Sequence, residues 1–333
     1  MYNFCTLFDS FYLSRGLLMY ESLKKNMDNF HLYIFAFDDL CYDILEKLKP
    51  EKTTIISLKE FENEDLLNVK NDRTKAEYCW TATPSSIYYI MTKYKVVNCT
   101  YIDADLMFFA SPEVLINELK KHESVLITEH RYSKLAKWYE KKRAGRFCVQ
   151  FVTFKNNKAG MKVLEKWKGQ CIDWCYDRYE DGKFGDQKYL DDWPENYDNV
   201  HILKHLGGGV APWNIQQYKI KKEGNSYICT HIKTRQKFNM VFYHFQYVKL
   251  LDNGYIDIGW HNLSKVVVKN LYLPYLKRIL KIEGKLKEVN PNYRTHYSGF
   301  KPESFKDLLK VLFKKITKFN LIKSRKNLKW HIL

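Results

Sequence analysis

With 333 residues, of which 45% are apolar, the chain can bury a substantial core, and its net charge of +17 invites a polyanionic partner such as a phosphorylated substrate, an acidic lipid surface or nucleic acid. Eight cysteines without a C-x-x-C pair exclude a zinc framework and a regular disulfide scaffold, so reduced, mostly buried thiols are expected. Neither a basic leader followed by a long apolar stretch nor a run of about 18 apolar residues occurs, which predicts a cytoplasmic chain without a membrane span.

In chain order, Tyr2 to Phe8, His31 to Phe37, Thr53 to Leu58, Thr100 to Ile102 and Ser124 to Thr128 read as strands, and Tyr12 to Asn26, Asp43 to Leu48 and Pro84 to Tyr94 as helices. This alternation predicts an α/β fold with a mainly parallel sheet flanked by helices. Ligands of such sheets sit beyond the carboxyl ends of the strands, where Asp9, Asp38-Asp39, Asp103 and Glu129 fall. Phe147 to Phe154 reads as a further strand and Ala159 to Trp174 as a helix. A polar stretch from Asp177 to Asp198 follows, then the glycine run Gly207-Gly208-Gly209, which permits unusual backbone conformations and close approaches. Met240 to Tyr243 is a last short strand ending in His244. Residues 1–260 are expected to form one catalytic domain, and 261–333 a basic, helical C-terminal segment.

Tyr101-Ile102-Asp103-Ala104-Asp105-Leu106 carries the chemistry. Two carboxylates one small residue apart, where an apolar strand surfaces and turns, suit a hard divalent cation that also holds a diphosphate. Asp-x-Asp alone most often marks a solvated turn. Phe184-Gly185-Asp186-Gln187 adds a carboxylate beside a carboxamide, and Val241 to Gln246 puts His244 at a strand end. An Asp/Asp/His set with open positions suits Mn²⁺ or Mg²⁺. Taken singly, Asp186 reads as a helix cap and His244 as a satisfied structural histidine.

Together these features resemble the GT-A glycosyltransferases, most nearly glycosyltransferase family 8, which includes glycogenin and bacterial lipopolysaccharide galactosyltransferases. The resemblance covers about residues 2–250. It implies nucleoside-donor contacts at Thr6, Leu7, Asp9 and Tyr12, at Arg73 in the segment before the Asp-x-Asp, and at Asp103, Ala104, Asp105, Glu129, Gln150 and Lys249. Asp186 and Gln187 would stand beside the transferred sugar as catalytic residues, in a nucleophilic or a purely electrostatic role. Asp103, Asp105 and His244 would bind the metal. The sequence departs from the family's usual His-x-x-Gly-x-x-Lys-Pro-Trp: His244 is followed by Tyr247, and His205 to Trp213 matches the pattern better, with Ala211 in place of Lys. His244 is favoured over His205 by its distance from Asp186-Gln187. Gly208, Gly209, Trp213 and Asn214 would then border the acceptor. Gln150 stands where the family usually offers Asn, so the sugar does not carry over.

The implied activity is metal-dependent transfer, with retention, from a nucleotide-sugar donor, UDP-linked by preference, to a glycan or lipid-linked glycan in surface polysaccharide or lipopolysaccharide assembly. A nucleotidyltransferase would also use paired aspartates, but Asp9-Ser10-Phe11-Tyr12 replaces the glycine-rich basic loop expected there. A nucleic-acid module lacks any recognisable motif outside the tail.

From Lys301 to Leu333 ten basic residues face two acidic ones, a net of +8. Phe305, Leu308, Leu309, Leu312, Ile316 and Phe319 recur at helical spacing, with Lys306, Lys310, Lys314, Lys315 and Lys318 on the flanks. Two readings stand: a terminal helix docked on the domain, or a basic amphipathic helix lying on an anionic membrane.

Overall fold

The computed structural model describes residues 1–134, 143–224, 226–298, 305–323 and 331–332. Its centre is a seven-stranded sheet built from β1 (Tyr2–Phe8), β2 (Phe30–Ala36), β3 (Thr53–Ser57), β4 (Asn98–Ile102), β6 (Val125–Glu129), β7 (Phe147–Lys155) and β8 (Val200–Ile202); a short β5 (Leu106–Phe108) lies outside it. The order is β3-β2-β1-β4-β7-β6-β8. β7 pairs antiparallel with both neighbours, and every other pairing is parallel. The sheet is therefore mainly parallel, as predicted.

Alternation of side chains across the pleat separates two apolar layers. Phe4 and Phe8 of β1 with Phe30, Leu32, Ile34 and Ala36 of β2 face one layer, against helices Leu13–Asn26 and Leu273–Val289. Cys5 and Leu7 with Tyr33 and Phe35 face the other, against helices Lys75–Lys93 and Lys158–Asp173. Because both faces are covered, the strands read as nearly continuous apolar runs. The first layer continues through Val267, Leu271, Leu276, Ile279, Leu286 and Ile322, so the chain beyond residue 260 packs into the same core. All eight cysteines are free thiols, seven of them buried.

Helix Lys75–Lys93 starts nine residues before the Pro84 that was expected to open it. A capping box holds its true start: Glu77 N–H donates to Thr74 Oγ1 at 3.3 Å and Thr74 N–H to Glu77 Oε2 at 2.8 Å. Burial of Tyr78, Ala82, Ile87, Ile90 and Met91 on one side offsets the missing N–H of the interior proline, which costs about 3 kcal/mol in an exposed helix.

The tail is helical over Phe305–Thr317 and then strand Leu321–Lys323 pairs with Tyr255–Asp257. Residues 299–304, 324–330 and 333 of the expected tail lie outside the described residues. Lys314, expected on a solvated flank, is instead buried: its ammonium binds the Asp257 carboxylate and donates to Gly259 O at 2.9 Å. Leu309, Leu312, Phe313 and Ile316 remain exposed.

Candidate active site

A cavity of about 870 Å³ opens at the carboxyl ends of β1 and β4, within the range of small-molecule sites. Leu7, Asp9 and Tyr12 line it from the end of β1, and Asp103, Ala104 and Asp105 from the end of β4. Asp186, Gln187, Trp213, His244 and Lys249 complete the part of the wall anticipated from the sequence.

Strand pairing explains why His244 reaches the aspartates. Strand Phe242–His244 runs antiparallel to β5, with His244 opposite Leu106, and Phe245 N–H donates to Asp105 O at 3.0 Å. Nε2 of His244 then stands 2.9 Å from Asp105 Oδ1 and 3.7 Å from Asp103 Oδ2. One ligand atom from each of the three lies within 4.8 Å of the others, the one such group of potential metal ligands among the described residues. His205 is elsewhere. Its Nδ1 accepts from Gly207 N–H at 3.1 Å, and it does not line the cavity.

Electrostatics follow from burying three ionisable groups together. Burial pushes Asp103 up to about 6, with repulsion from Asp105 adding to the rise against the opposing His244 charge. Burial also works against the Asp105 carboxylate, but the His244 charge, its hydrogen bond and Arg15 outweigh it and hold Asp105 below its usual range. Burial would lower His244; the two aspartates outweigh it and raise His244 well above its ordinary value. Such a site carries more carboxylate than its own histidine can neutralise, and its oxygen-rich donor set with one imidazole suits a divalent cation of the Mg²⁺ or Mn²⁺ kind.

Asp186 and Gln187 occupy the same wall. Trp167 Nε1 donates to Asp186 O at 2.9 Å, anchoring this segment to the core, and Gln187 Nε2 donates to Ala144 O at 2.9 Å. Burial, reinforced by the Asp103 charge, pushes the Asp186 carboxyl up to about 8.

Other anticipated residues are not brought to the cavity. Thr6 is fully buried within β1. Arg73 lies over the Tyr176 ring, 3.9 Å from its centroid, and donates to the Tyr176 hydroxyl and to Ile172 O. Glu129 is held by Arg146 at 2.6 Å. Gln150 is buried behind the cavity, against His244. Gly208, Gly209 and Asn214 do not line the cavity and form a packed support beside it. Gly208 O accepts from Arg131, and Asn214 Nδ2 donates to Gly209 O at 2.8 Å.

Several lining residues escaped the sequence reading. Lys75 is the first residue of the helix whose capping box Thr74-x-x-Glu77 was a legible signal. Arg143 lies 4.9 Å over the Phe184 ring beside Asp177, and Tyr132 and Tyr247 add aromatic wall; nothing local in the sequence marks them. His130, kept neutral because burial pushes it down to about 3, stacks on Tyr132 at 4.6 Å. Arg15 fastens the first helix to the far side of the site by donating to Val248 O at 2.8 Å.

A scan against protein-family models finds no match. Among solved structures, an active-site mutant of LgtC is similar at 9% identity and a TM-score of 0.49, over 85% of this chain and 95% of that one. Mouse xyloside xylosyltransferase 1 is similar at 13% identity and a TM-score of 0.41, over 63% of this chain and 87% of that one. Both are partial likenesses. By sequence, the uncharacterized protein YfnF of Bacillus subtilis (strain 168) is 30% identical over 251 residues, 73% of this chain and 80% of YfnF. The uncharacterized protein YfnD of the same strain is 30% identical over 309 residues, spanning 91% of this chain and 95% of YfnD, and the chain belongs to the same family as YfnD.

Proposed function

We propose that the protein is a metal-dependent glycosyltransferase of the GT-A kind that transfers a sugar, with retention, from a nucleoside-diphosphate donor to a glycan acceptor. The observation that carries this reading is the Asp103–Asp105–His244 cluster on the wall of a cavity at the carboxyl edge of the sheet. A divalent cation held there supplies charge neutralisation for a departing diphosphate. Lys75, Arg143 and Lys249 on the same wall add positive charge for the phosphates. Tyr12, Trp80, Tyr132 and Trp213 offer aromatic faces suited to a base or a sugar ring.

Asp186 and Gln187 stand where positive charge on an anomeric carbon would be stabilised by a carboxylate or an amide dipole. The resemblance favours a UDP-linked donor and an acceptor in surface polysaccharide or lipopolysaccharide assembly. A panel of nucleotide sugars, incubated with and without EDTA, tests the reading. Release of nucleoside diphosphate that stops on chelation and returns with Mn²⁺ or Mg²⁺ supports it; equal release with EDTA rejects it.

We further place the enzyme at an anionic membrane surface on the cytoplasmic side, where a lipid-linked acceptor would be found. No helix of the described residues is long and apolar enough to cross a membrane. Leu309, Leu312, Phe313 and Ile316 instead expose one face of the C-terminal helix, and half-exposed Trp260 stacks on Phe313 at 6.2 Å. Lys318, just past that helix, and Lys323, on the strand that follows, both lie over the Tyr255 ring in a chain of net charge +17, which complements anionic lipid. Because strand Leu321–Lys323 pairs within a sheet of the body, substitutions test this better than truncation. Leu312→Glu with Ile316→Glu should abolish co-sedimentation with phosphatidylglycerol vesicles while leaving the melting temperature unchanged. Undiminished co-sedimentation would remove the helix from the interface.

A further inference from the structure

Gln150 is fully buried on β7, directly behind the carboxylate–imidazole cluster. Its side-chain Oε1 lies 2.8 Å from Nδ1 of His244, and its backbone carbonyl accepts from Asp103 N–H at 3.1 Å. One residue therefore touches two of the three groups that would hold the cation.

The ring atom of His244 that faces the aspartates is Nε2. To offer a lone pair there, the imidazole must carry its proton on Nδ1, and a buried Nδ1–H needs an acceptor. The hydrogen bond that the structure gives Nδ1 is to the amide oxygen of Gln150, and the Cys148 thiol also stands against the ring. With the amide reversed, the NH₂ group would meet Nδ1 and force the proton onto Nε2, the wrong atom for a ligand.

The surroundings add a second observation. The amide nitrogen of Gln150 is buried without a hydrogen-bond partner. It packs toward Gly209, where an added Cβ would come within 3.2 Å of it. An unpaired buried NH₂ costs stability that an apolar side chain of similar length would not. The contact of its oxygen with His244 is what this amide contributes in return.

We infer that Gln150 is a positioning residue for the cation: its side-chain oxygen fixes the tautomer and ring plane of His244, and its backbone carbonyl holds the turn that carries Asp103. This rests on the metal-dependent reading above. It assigns Gln150 to the metal ligand and not to the donor sugar.

Mn²⁺ titration of the full-length protein, followed by the electron paramagnetic resonance signal of the free ion, tests the inference without recourse to activity. Wild type, His244→Ala, Gln150→Met and Gln150→Glu are compared, with melting temperatures measured in EDTA. Gln150→Met should bind Mn²⁺ about 10- to 100-fold more weakly, the usual effect of removing an outer hydrogen-bond partner of a metal-binding histidine. Gln150→Glu, which keeps an acceptor, should stay within a few-fold of wild type. Should Gln150→Met fail to fold, histidine-selective ¹⁵N spectra of the Mg²⁺-loaded wild type decide the matter: a proton on Nδ1 of His244 is expected, and a proton on Nε2 overturns the assignment. Wild-type affinity in Gln150→Met alongside weakened binding in His244→Ala overturns the role of Gln150 alone. Unchanged affinity in His244→Ala overturns the metal reading itself, and the inference with it.

Discussion

Nε2 of His244 and Oδ1 of Asp105 stand 2.9 Å apart because strand Phe242–His244 pairs antiparallel with Leu106–Phe108. The contact brings a carboxylate and an imidazole from distant parts of the chain to one point of the cavity wall. Asp105→Asn or Asp103→Asn keeps the shape but removes the charge that would hold a cation. Each should lower nucleotide-sugar turnover by roughly a thousandfold, equal to about 4 kcal/mol of transition-state stabilisation. Calorimetry with Mn²⁺ in the same variants should show the matching loss of binding. Full activity in both variants would dismiss the cluster as the catalytic centre.

The Asp186 carboxyl predicts a pH signature. Burial and the neighbouring Asp103 raise it from 3.8 to about 8 on folding. Between those values the folded chain holds a proton that the unfolded chain has released, so this group's contribution to stability falls as pH rises through the window. Asp186→Asn cannot ionise and escapes that loss. Its melting temperature in EDTA should exceed that of wild type by a margin that is larger at pH 8 than at pH 5; a margin independent of pH contradicts the assignment. On the proposed function, turnover in this variant should drop more than donor affinity, since the carboxyl would act on charge that develops only during reaction.

Gly207 supports the histidine strand through its backbone. Its carbonyl accepts from Val241 N–H at 2.9 Å, and a Cβ added to it would stand 2.0 Å from Asn239 O, a backbone atom with nowhere to go. Gly207→Ala should therefore destabilise the protein by about 1–3 kcal/mol, the usual cost of overpacking. It should also weaken Mn²⁺ binding by shifting His244. Gly284, in helix Leu273–Val289 with open space where a Cβ would go, is the control: Gly284→Ala should stabilise by about 0.5–1 kcal/mol. Urea unfolding of the two variants reads both effects, and equal midpoints would contradict the close-packing argument.

Lys314 and Asp257 form a buried pair joining the C-terminal helix to the body. Burial pulls the ammonium down from its ordinary range, and Asp257 pulls it back up without fully restoring it. Removing one partner leaves a buried charge without compensation, so Lys314→Met alone should cost about 3–5 kcal/mol. Lys314→Met combined with Asp257→Leu should recover most of that loss. Thermal unfolding of the two single variants and the double variant measures the coupling; strict additivity would mean that the pair is solvated.

The sequence by itself determined what depends on neighbours along the chain. Alternating apolar runs gave β1 to β4 and the first two helices within a few residues, because a strand covered on both faces and a one-sided helix each impose a period. Asp103-Ala104-Asp105 was legible for the same reason, as carboxylates at the end of an apolar strand. The start of helix Lys75–Lys93 was also legible in its capping box, but Pro84 is the louder local signal.

Only the tertiary structure decided what depends on pairing across the chain. His205 matches the sequence pattern better, yet the register of Phe242–His244 against Leu106–Phe108 carries His244 to the aspartates and leaves His205 outside the cavity. Arg73, expected among the donor contacts, lies over Tyr176 and does not line the cavity. The glycine run permits unusual backbone conformations and close approaches, but which neighbours come close, Asn239 at Gly207, Leu203 and Leu115 at Gly208, and Thr128 at Gly209, is set by the tertiary structure. The antiparallel entry of β7, which places Gln150 behind His244 and under Asp103, has no local signature, because strand direction is set by which long-range pairing buries the most apolar surface and satisfies the most backbone groups.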